Sequence, residues 1–188
     1  MKNIIVLFAL FAVPAFAEPI EDNSILLEEA YNQEPGIYQF MFLYQADKNK
    51  DWTGYFMNEI PVGGQSHQFS YSVPYKHLDG TDEGGIGDIG VNYRYQLMNE
   101  GNVALAPRIG VVLPTGDDKK GLGTGSTHYE FNMAASFKVH PKFVMHMNAG
   151  LNFQPKDGST VASTENVYGL SGIYHIADTF DFMVETKG

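Results

Sequence analysis

The chain has 188 residues, a formal net charge of −10 and no cysteine. That acidity argues against nucleic acid as a partner, and the absence of thiols excludes a disulfide framework and any cysteine-based metal site. Beyond residue 17 no stretch holds the roughly eighteen continuous apolar residues of a spanning helix.

Met1 to Ala17 has the layout of a secretory signal. Lys2 gives the positive start, Ile4 to Val13 the apolar core, and Ala15-Phe16-Ala17 a small-residue cleavage site. The apolar core is too short to span a bilayer. Cleavage after Ala17 takes the net charge from −10 to −11 with the loss of Lys2, and no Cys follows to carry a lipid anchor. Residues 18–35 form a second unit, with six acids and neither Lys nor Arg. Asp22-Asn23-Ser24 is expected to cap a short helix through Leu27 to Tyr31. Two readings of this periplasmic segment stand: a solvated acidic tail, or a plug folding into a barrel mouth.

From Gly36 to Gly188 the pattern is all-β. Successive side chains of a strand point to opposite faces, so a period of two marks one greasy and one polar face. Tyr38, Phe40, Phe42 and Tyr44 alternate with Gln39, Met41, Leu43 and Gln45, and a weaker strand runs from Trp52 to Ile60. His67, Phe69, Tyr71, Val73 and Tyr75 oppose Gln68, Ser70 and Ser72. The central pair covers 85–114: Ile89, Val91, Tyr93, Tyr95 and Leu97 oppose Asp88, Gly90, Asn92, Arg94 and Gln96, then Val103, Leu105, Ile109, Val111 and Leu113 oppose Ala104, Ala106, Arg108 and Gly110. Strands over 128–139, 143–153, 168–176 and 180–185 complete nine. Their length, near the nine to eleven residues of a tilted membrane strand, favours an up-and-down antiparallel transmembrane β-barrel over a soluble lipocalin-like or sandwich fold. Short connections at 61–65, 98–102, 140–142 and 177–178 alternate with polar ones at 46–51, 76–85, 115–127 and 154–163. Short periplasmic turns and longer outer loops are the pattern of outer-membrane barrels, and Tyr and Trp near strand ends suit interfacial girdles.

Several motifs carry a resemblance: Asp22-Asn23-Ser24 with Glu28 to Gly36, His67-Gln68-Phe69-Ser70 through Pro74-Tyr75, Gly87-Asp88-Ile89, and Pro107-Arg108 with Leu113-Pro114-Thr115-Gly116-Asp117. Over most of the mature chain the sequence resembles the MetA-pathway (meta-pathway) phenol-degradation outer-membrane family. The resemblance implies a monomeric or loosely associated barrel acting as a transporter for aromatic or other apolar molecules, and it supplies no catalytic residues. The chain departs from the expected pattern at its end. It stops at Gly188 as a ninth strand finishes, without a terminal aromatic residue, whereas bacterial single-chain barrels have even strand counts; the strand set is expected to be incomplete.

Other motifs are set aside on chemistry. Gly85-Ile86-Gly87-Asp88-Ile89-Gly90 matches G-x-G-x-x-G, but that fingerprint must open a helix, and here it runs into a strand. Gly116 to Gly125 with Lys119-Lys120 lacks the closing G-K-S/T and is expected to be an outer loop. Asp47-x-Asn49-x-Asp51 imitates a calcium loop without its Gly or its closing Glu. The six His have no ligand spacing. No cofactor and no metal is expected, and neither Ser66–His67 nor His128 with Ser126 or Thr127 forms an oriented nucleophile–base pair, so an enzyme is not expected.

The expected function is an outer-membrane channel or transporter for small solutes, aromatic or apolar ones among them. The alternatives are a structural or adhesive barrel with a filled core and, behind it, an outer-membrane enzyme. Expected partners are outer-membrane lipid, a small-molecule solute and the barrel assembly machinery during biogenesis. Strand parity turns Asp88, Asn92, Arg94, Arg108, Glu130, Asn132, His146 and Asn148 inward as lumen-lining candidates. With one turn centred near Glu100 and the next near Lys119, Asn92 and Glu130 fall opposite Arg108. An Arg108–Glu130 ion pair is then expected, with Arg94 near Asp88 or water. A half-neutralised basic strip of this kind leaves room for an anionic or phenolic solute.

Overall fold

The computed structural model describes residues 5–11, 24, 26–156, 162–177 and 180–188. Among them are twelve strands and no helix. These are β1 (Ile5–Phe11), β2 (Gln39–Ala46), β3 (Trp52–Pro61), β4 (His67–Leu78), β5 (Glu83–Ile86), β6 (Ile89–Tyr95), β7 (Met98–Glu100), β8 (Val103–Leu113), β9 (His128–His140), β10 (Phe143–Gln154), β11 (Ser163–Ala177) and β12 (Phe180–Lys187). All pairings between them are antiparallel. Short connections favour this arrangement, because an antiparallel neighbour needs no crossover.

β5, β6 and β7 are one strand interrupted twice. Tyr75 pairs with Ile86 and Ser72 with Gly90, so three residues oppose two. Arg94 pairs with Arg108 and Met98 with Leu105, and the same count recurs. Each is a β-bulge, one extra residue that bends the strand and raises its twist. A proline lies opposite each bulge. Pro74 has no N–H to offer the ladder, and its carbonyl instead accepts the Gly87 N–H at 2.8 Å. Counted this way, the strands from β2 to β12 make nine, in sequential order, forming a half-barrel sheet.

The up-and-down antiparallel order expected from the sequence is present, and the sheet is open, with β1 and β12 at its two edges. The apolar stretch read as a leader core lies along β2, from Ile5 opposite Ala46 to Phe11 opposite Phe40. An unpaired strand edge offers a row of free N–H and C=O groups, and an apolar extended segment satisfies them. The expected cleavage site Ala15–Ala17 and the Asp22-Asn23 cap lie outside the described residues.

The connections alternate between two ends. At the loop end lie 47–51, 79–82, 114–127 and 155–162; at the turn end lie 62–66, 101–102, 141–142 and 178–179, of which 157–161 and 178–179 are outside the described residues. The connection expected over 76–85 is shorter than foreseen, because β4 and β5 pair through Leu78 and Glu83 and leave only 79–82 as the hairpin loop. At the turn end, Gly101 takes φ +60° between the paired Glu100 and Val103, a conformation that suits glycine.

The faces are inverted relative to a water-soluble protein. The convex side exposes Phe42, Tyr93, Ile109, Phe131, Met147, Leu151, Leu170 and Phe182, among many other large apolar residues. The buried concave side holds Gln68, Asp88, Arg94, Gln96, Asn132, Ser136, His146, Asn148 and Ser171. Its apolar part is small, a cluster of Ala104, Ala106 and Ala134 with Ala30, against which Tyr31 packs.

Candidate functional site: a strap across the concave face

Ala30 in that cluster belongs to the N-terminal segment. Residues 26–33 cross the concave face from β12 to β3 as an extended strap. The helical turn expected at Leu27–Tyr31 is absent, because the strap's backbone groups bond to the sheet instead of to one another. Glu28 N–H donates to Asn148 Oδ1 at 2.8 Å, while Asn148 Nδ2 donates to the Glu28 carbonyl at 2.7 Å. Ala30 N–H donates to Ser136 Oγ at 2.9 Å. Asn32 N–H donates to Gln96 Oε1 at 2.8 Å, and Gln96 Nε2 returns a hydrogen bond to the Ala30 carbonyl. Gln33 N–H donates to Gln68 Oε1 at 2.7 Å, and Gln65 Nε2 donates to the Asn32 carbonyl at 3.1 Å. A primary amide carries both a donor and an acceptor, so Asn148 and Gln96 each bind the strap through both groups, as a neighbouring strand would. Buried backbone polar groups must be paired, and here inward-facing side chains do it.

The strap is anchored at both ends. Ser24 Oγ donates to Glu185 of β12, and Leu26 N–H donates to the same carboxylate at 3.0 Å. At the other end Gln33 Nε2 donates to Glu59 of β3 at 3.1 Å. Small inward residues make room between the anchors. Ala104, Ala106 and Ala134 are 0 % exposed beneath Ala30, and a Cβ on Gly169 of β11 would stand 2.2 Å from Leu27 Cδ2.

Two arginines organise the middle of the crossing. Arg94 and Arg108 lie directly opposite each other on β6 and β8, where like charges repel. They separate. Arg94 donates to Asn32 Oδ1 at 2.8 Å, to the Glu29 carbonyl at 3.0 Å and to the Tyr31 carbonyl at 2.7 Å, with Glu59 at 3.9 Å. Arg108 meets Glu28 of the strap at 2.7 Å and Glu130 of β9 at 2.8 Å, and also bonds Asn92. Gly110 leaves the space for this group, since a Cβ there would come within 2.9 Å of Arg108 Nη1.

The expected Arg108–Glu130 pair is therefore formed, but the register differs by two residues. Arg108 faces Arg94 and Asn132, while Asn92 and Glu130 both face Gly110. The turn is centred on 101–102 rather than on Glu100, and the bulge before β7 moves the register again. The strip is not left basic. Glu28 supplies a second carboxylate to Arg108, from a segment whose path the strand pattern does not reveal.

Asp88 is also not the partner of Arg94. Six residues along a strand separate them by about 20 Å. Asp88 instead accepts Gly116 N–H at 2.9 Å and both the N–H and Oγ1–H of Thr124 at 2.7 Å. It holds the 114–127 loop, whose Leu122 is buried. Lys120, ion-paired with Glu83 at 2.9 Å, is held above its ordinary pKa by that hydrogen bond.

His146 faces inward as expected. Its Nδ1 lies 2.7 Å from Ser136 Oγ beneath the strap, both residues fully buried. Ser136, Gln68, Gln96 and Glu28 were not among the sequence candidates. The first three share the inward parity, which was the available signal; Glu28 has no such signal. Asp47 accepts the N–H groups of Asn49 and Asp51 at 2.8 and 3.2 Å, a local turn. No group of three or more His, Cys, Asp or Glu among the described residues is arranged to hold a metal.

These features define a class, the antiparallel all-β half-barrel, apolar outside and polar inside, with its own N-terminal segment threaded across the concave face. The chain belongs to the family described as "Putative MetA-pathway of phenol degradation", whose model matches residues 27–184, strap included. No curated protein and no solved structure matches the chain.

Proposed function

We propose that this chain is an exported outer-membrane β-barrel that passes small solutes and carries the strap as a plug near its turn end. The observation behind this reading is the inversion of the two faces. Exposed apolar patches on soluble monomers rarely exceed a few hundred Å², whereas here nearly the whole convex face is apolar and exposed. Lipid is the environment that such a surface suits.

Two aromatic groups on that face support the same reading. Near the loop end Trp52 stacks with Tyr75 and packs against Tyr44, each at 5.7 Å between ring centroids. Near the turn end His67 lies 6.0 Å from Tyr93 and 5.2 Å from Tyr95. His67 and Tyr75 are eight residues apart on β4, about 26 Å along the strand. Tilted by about 40°, that spans roughly 20 Å of the normal, close to the apolar band of about 25 Å in such barrels. In this reading the turn end is periplasmic, the loop end faces outward, and residues 1–17 are removed on export.

The family's description ties it to phenol degradation, and we take small aromatic molecules as the solutes. A barrel with a filled core is the second reading, favoured by the alanine cluster packed on Ala30. Solute flux into liposomes carrying the purified protein, with and without residues 24–33, tests the proposal. Flux that rises on deletion, in a protein recovered from the outer-membrane fraction with heat-modifiable mobility, supports a plugged channel. No flux from a folded deletion variant supports the filled core, and a protein that fractionates as soluble rules out both.

A further inference from the structure

The strap lies across the strands, and the sheet reads it through side chains. The N–H groups of Glu28, Ala30, Asn32 and Gln33 donate to Asn148, Ser136, Gln96 and Gln68 in turn. The carbonyls of Glu28, Ala30 and Asn32 accept from Asn148, Gln96 and Gln65, and those of Glu29 and Tyr31 from Arg94. Every non-proline residue carries these main-chain groups, so this part of the recognition does not depend on the strap's side chains.

Selectivity enters at alternate positions. Glu28 meets Arg108 at 2.7 Å. Ala30 stands on a floor of Ala104, Ala106 and Ala134, all 0 % exposed, which a longer side chain would strike. Asn32 Oδ1 accepts from Arg94 at 2.8 Å. The track therefore reads an extended backbone carrying an acid, a small residue and an amide, each two residues apart. Main-chain hydrogen bonds for affinity and alternate side chains for specificity are a recurring mode of peptide recognition.

We propose that this track is a binding site for an extended peptide segment of a partner protein with that pattern, and that the strap is the occupant this segment displaces. Charge favours such a ligand, since the strap brings Glu28 and Glu29 and no Lys or Arg to a face that holds two arginines. A second copy's strap is the poorer fit. Gln33 Nε2 donates to Gln39 at the start of β2, and Ile37 N–H donates to the Glu34 carbonyl at 3.0 Å, so a short turn keeps each strap over its own sheet. A short tether acts as a millimolar effective concentration, against which a free peptide must compete. The inference goes beyond the channel reading and does not depend on solute passage.

The test uses full-length folded protein in detergent micelles and a fluorescently labelled peptide of residues 26–35, followed by anisotropy. The double variant Glu28→Lys/Ala30→Trp sets like charge against Arg108 and bulk against the alanine floor. It evicts the strap without altering the track, and faster cleavage by a glutamyl endopeptidase at Glu29 reports the eviction. The peptide should bind this variant at least about a hundredfold more tightly than wild type, where the tethered strap competes. The same peptide N-methylated at Ala30 and Asn32 keeps its side chains but loses two donors, and should bind at least about tenfold more weakly. Asn148→Leu added to the double variant should weaken binding similarly while the heat-modifiable folded band persists. A strap still protected in the double variant, no peptide binding once it is released, or equal binding of the N-methylated peptide overturns the proposal. Wild-type protein that sediments as a dimer, with the double variant a monomer, assigns the track to exchange between copies and overturns the partner. Peptide binding without solute flux leaves this site standing and overturns the channel alone.

Discussion

Arg94→Met tests whether the strap is held in place by the sheet or merely rests on it. The guanidinium donates three hydrogen bonds to the strap, at 2.7 to 3.0 Å. Hydrogen bonds to a charged group contribute about 1.5–3 kcal/mol each, so the substitution removes up to about 4–9 kcal/mol, a ceiling because coupled losses are not additive. Holding the eight residues 26–33 in one backbone conformation costs about 8–16 kcal/mol. The loss is about half of that cost, and the strap should leave the concave face while the nine-strand ladder stays intact. The strap contains Glu28 and Glu29 but no Lys or Arg, so a glutamyl endopeptidase reads its release and trypsin does not. Cleavage at Glu28–Ala30 in the folded variant should accelerate by at least about tenfold, since each 1.4 kcal/mol is a factor of ten. Arg94→Lys should fall in between, because one ammonium cannot serve three acceptors in fixed directions. An unchanged cleavage rate in a folded Arg94→Met protein would refute the argument, and the strap would then owe its position to the amide ladder and to Ala30.

Asp88→Asn should loosen the 114–127 loop by weakening the charge-assisted bonds from Gly116 and Thr124. Faster tryptic cleavage at Lys119 and Lys120 with an unchanged folded band is the expected result. Met147→Arg places a charge on the exposed convex face and should cost about 2–4 kcal/mol if that face meets lipid at mid-depth, lowering assembly into membranes. Ala134→Arg, on the concave side under Ala30, should instead leave assembly intact and expel the strap. Equal loss of assembly from both would point to a dry two-sided core. Cysteines at Thr81 and Lys119 should react with an impermeant maleimide on whole cells, and cysteines at Asn99 and Asn102 should not; the reverse pattern inverts the proposed orientation.

The sequence by itself determined nine strands and the faces to which their side chains point, although 5–11, 83–86 and 98–100, read as a leader core, a connection and a turn, are extended as well. Both follow from an alternation of period two that is local to each strand. Tyr93 and Arg94 could be assigned to opposite faces without any partner, because adjacent Cβ atoms in a strand diverge. The alternating connections and the nine strands were legible for the same reason, each being a short-range signal. Register was less so. Moving the turn from Glu100 to 101–102, with one bulge opposite Pro107, placed Arg94 rather than Asn92 across from Arg108, and no local pattern announces a bulge. The strap's path was decided by tertiary structure alone. Asp22-Asn23-Ser24 and Leu27 to Tyr31 carry a helix-capping pattern, but the backbone groups of Glu28, Ala30, Asn32 and Gln33 pair with Asn148, Ser136, Gln96 and Gln68, which come from strands far apart in the chain. An extended segment gains those partners only once the half-barrel has brought them to one face. The same assembly gives Arg108 its second carboxylate.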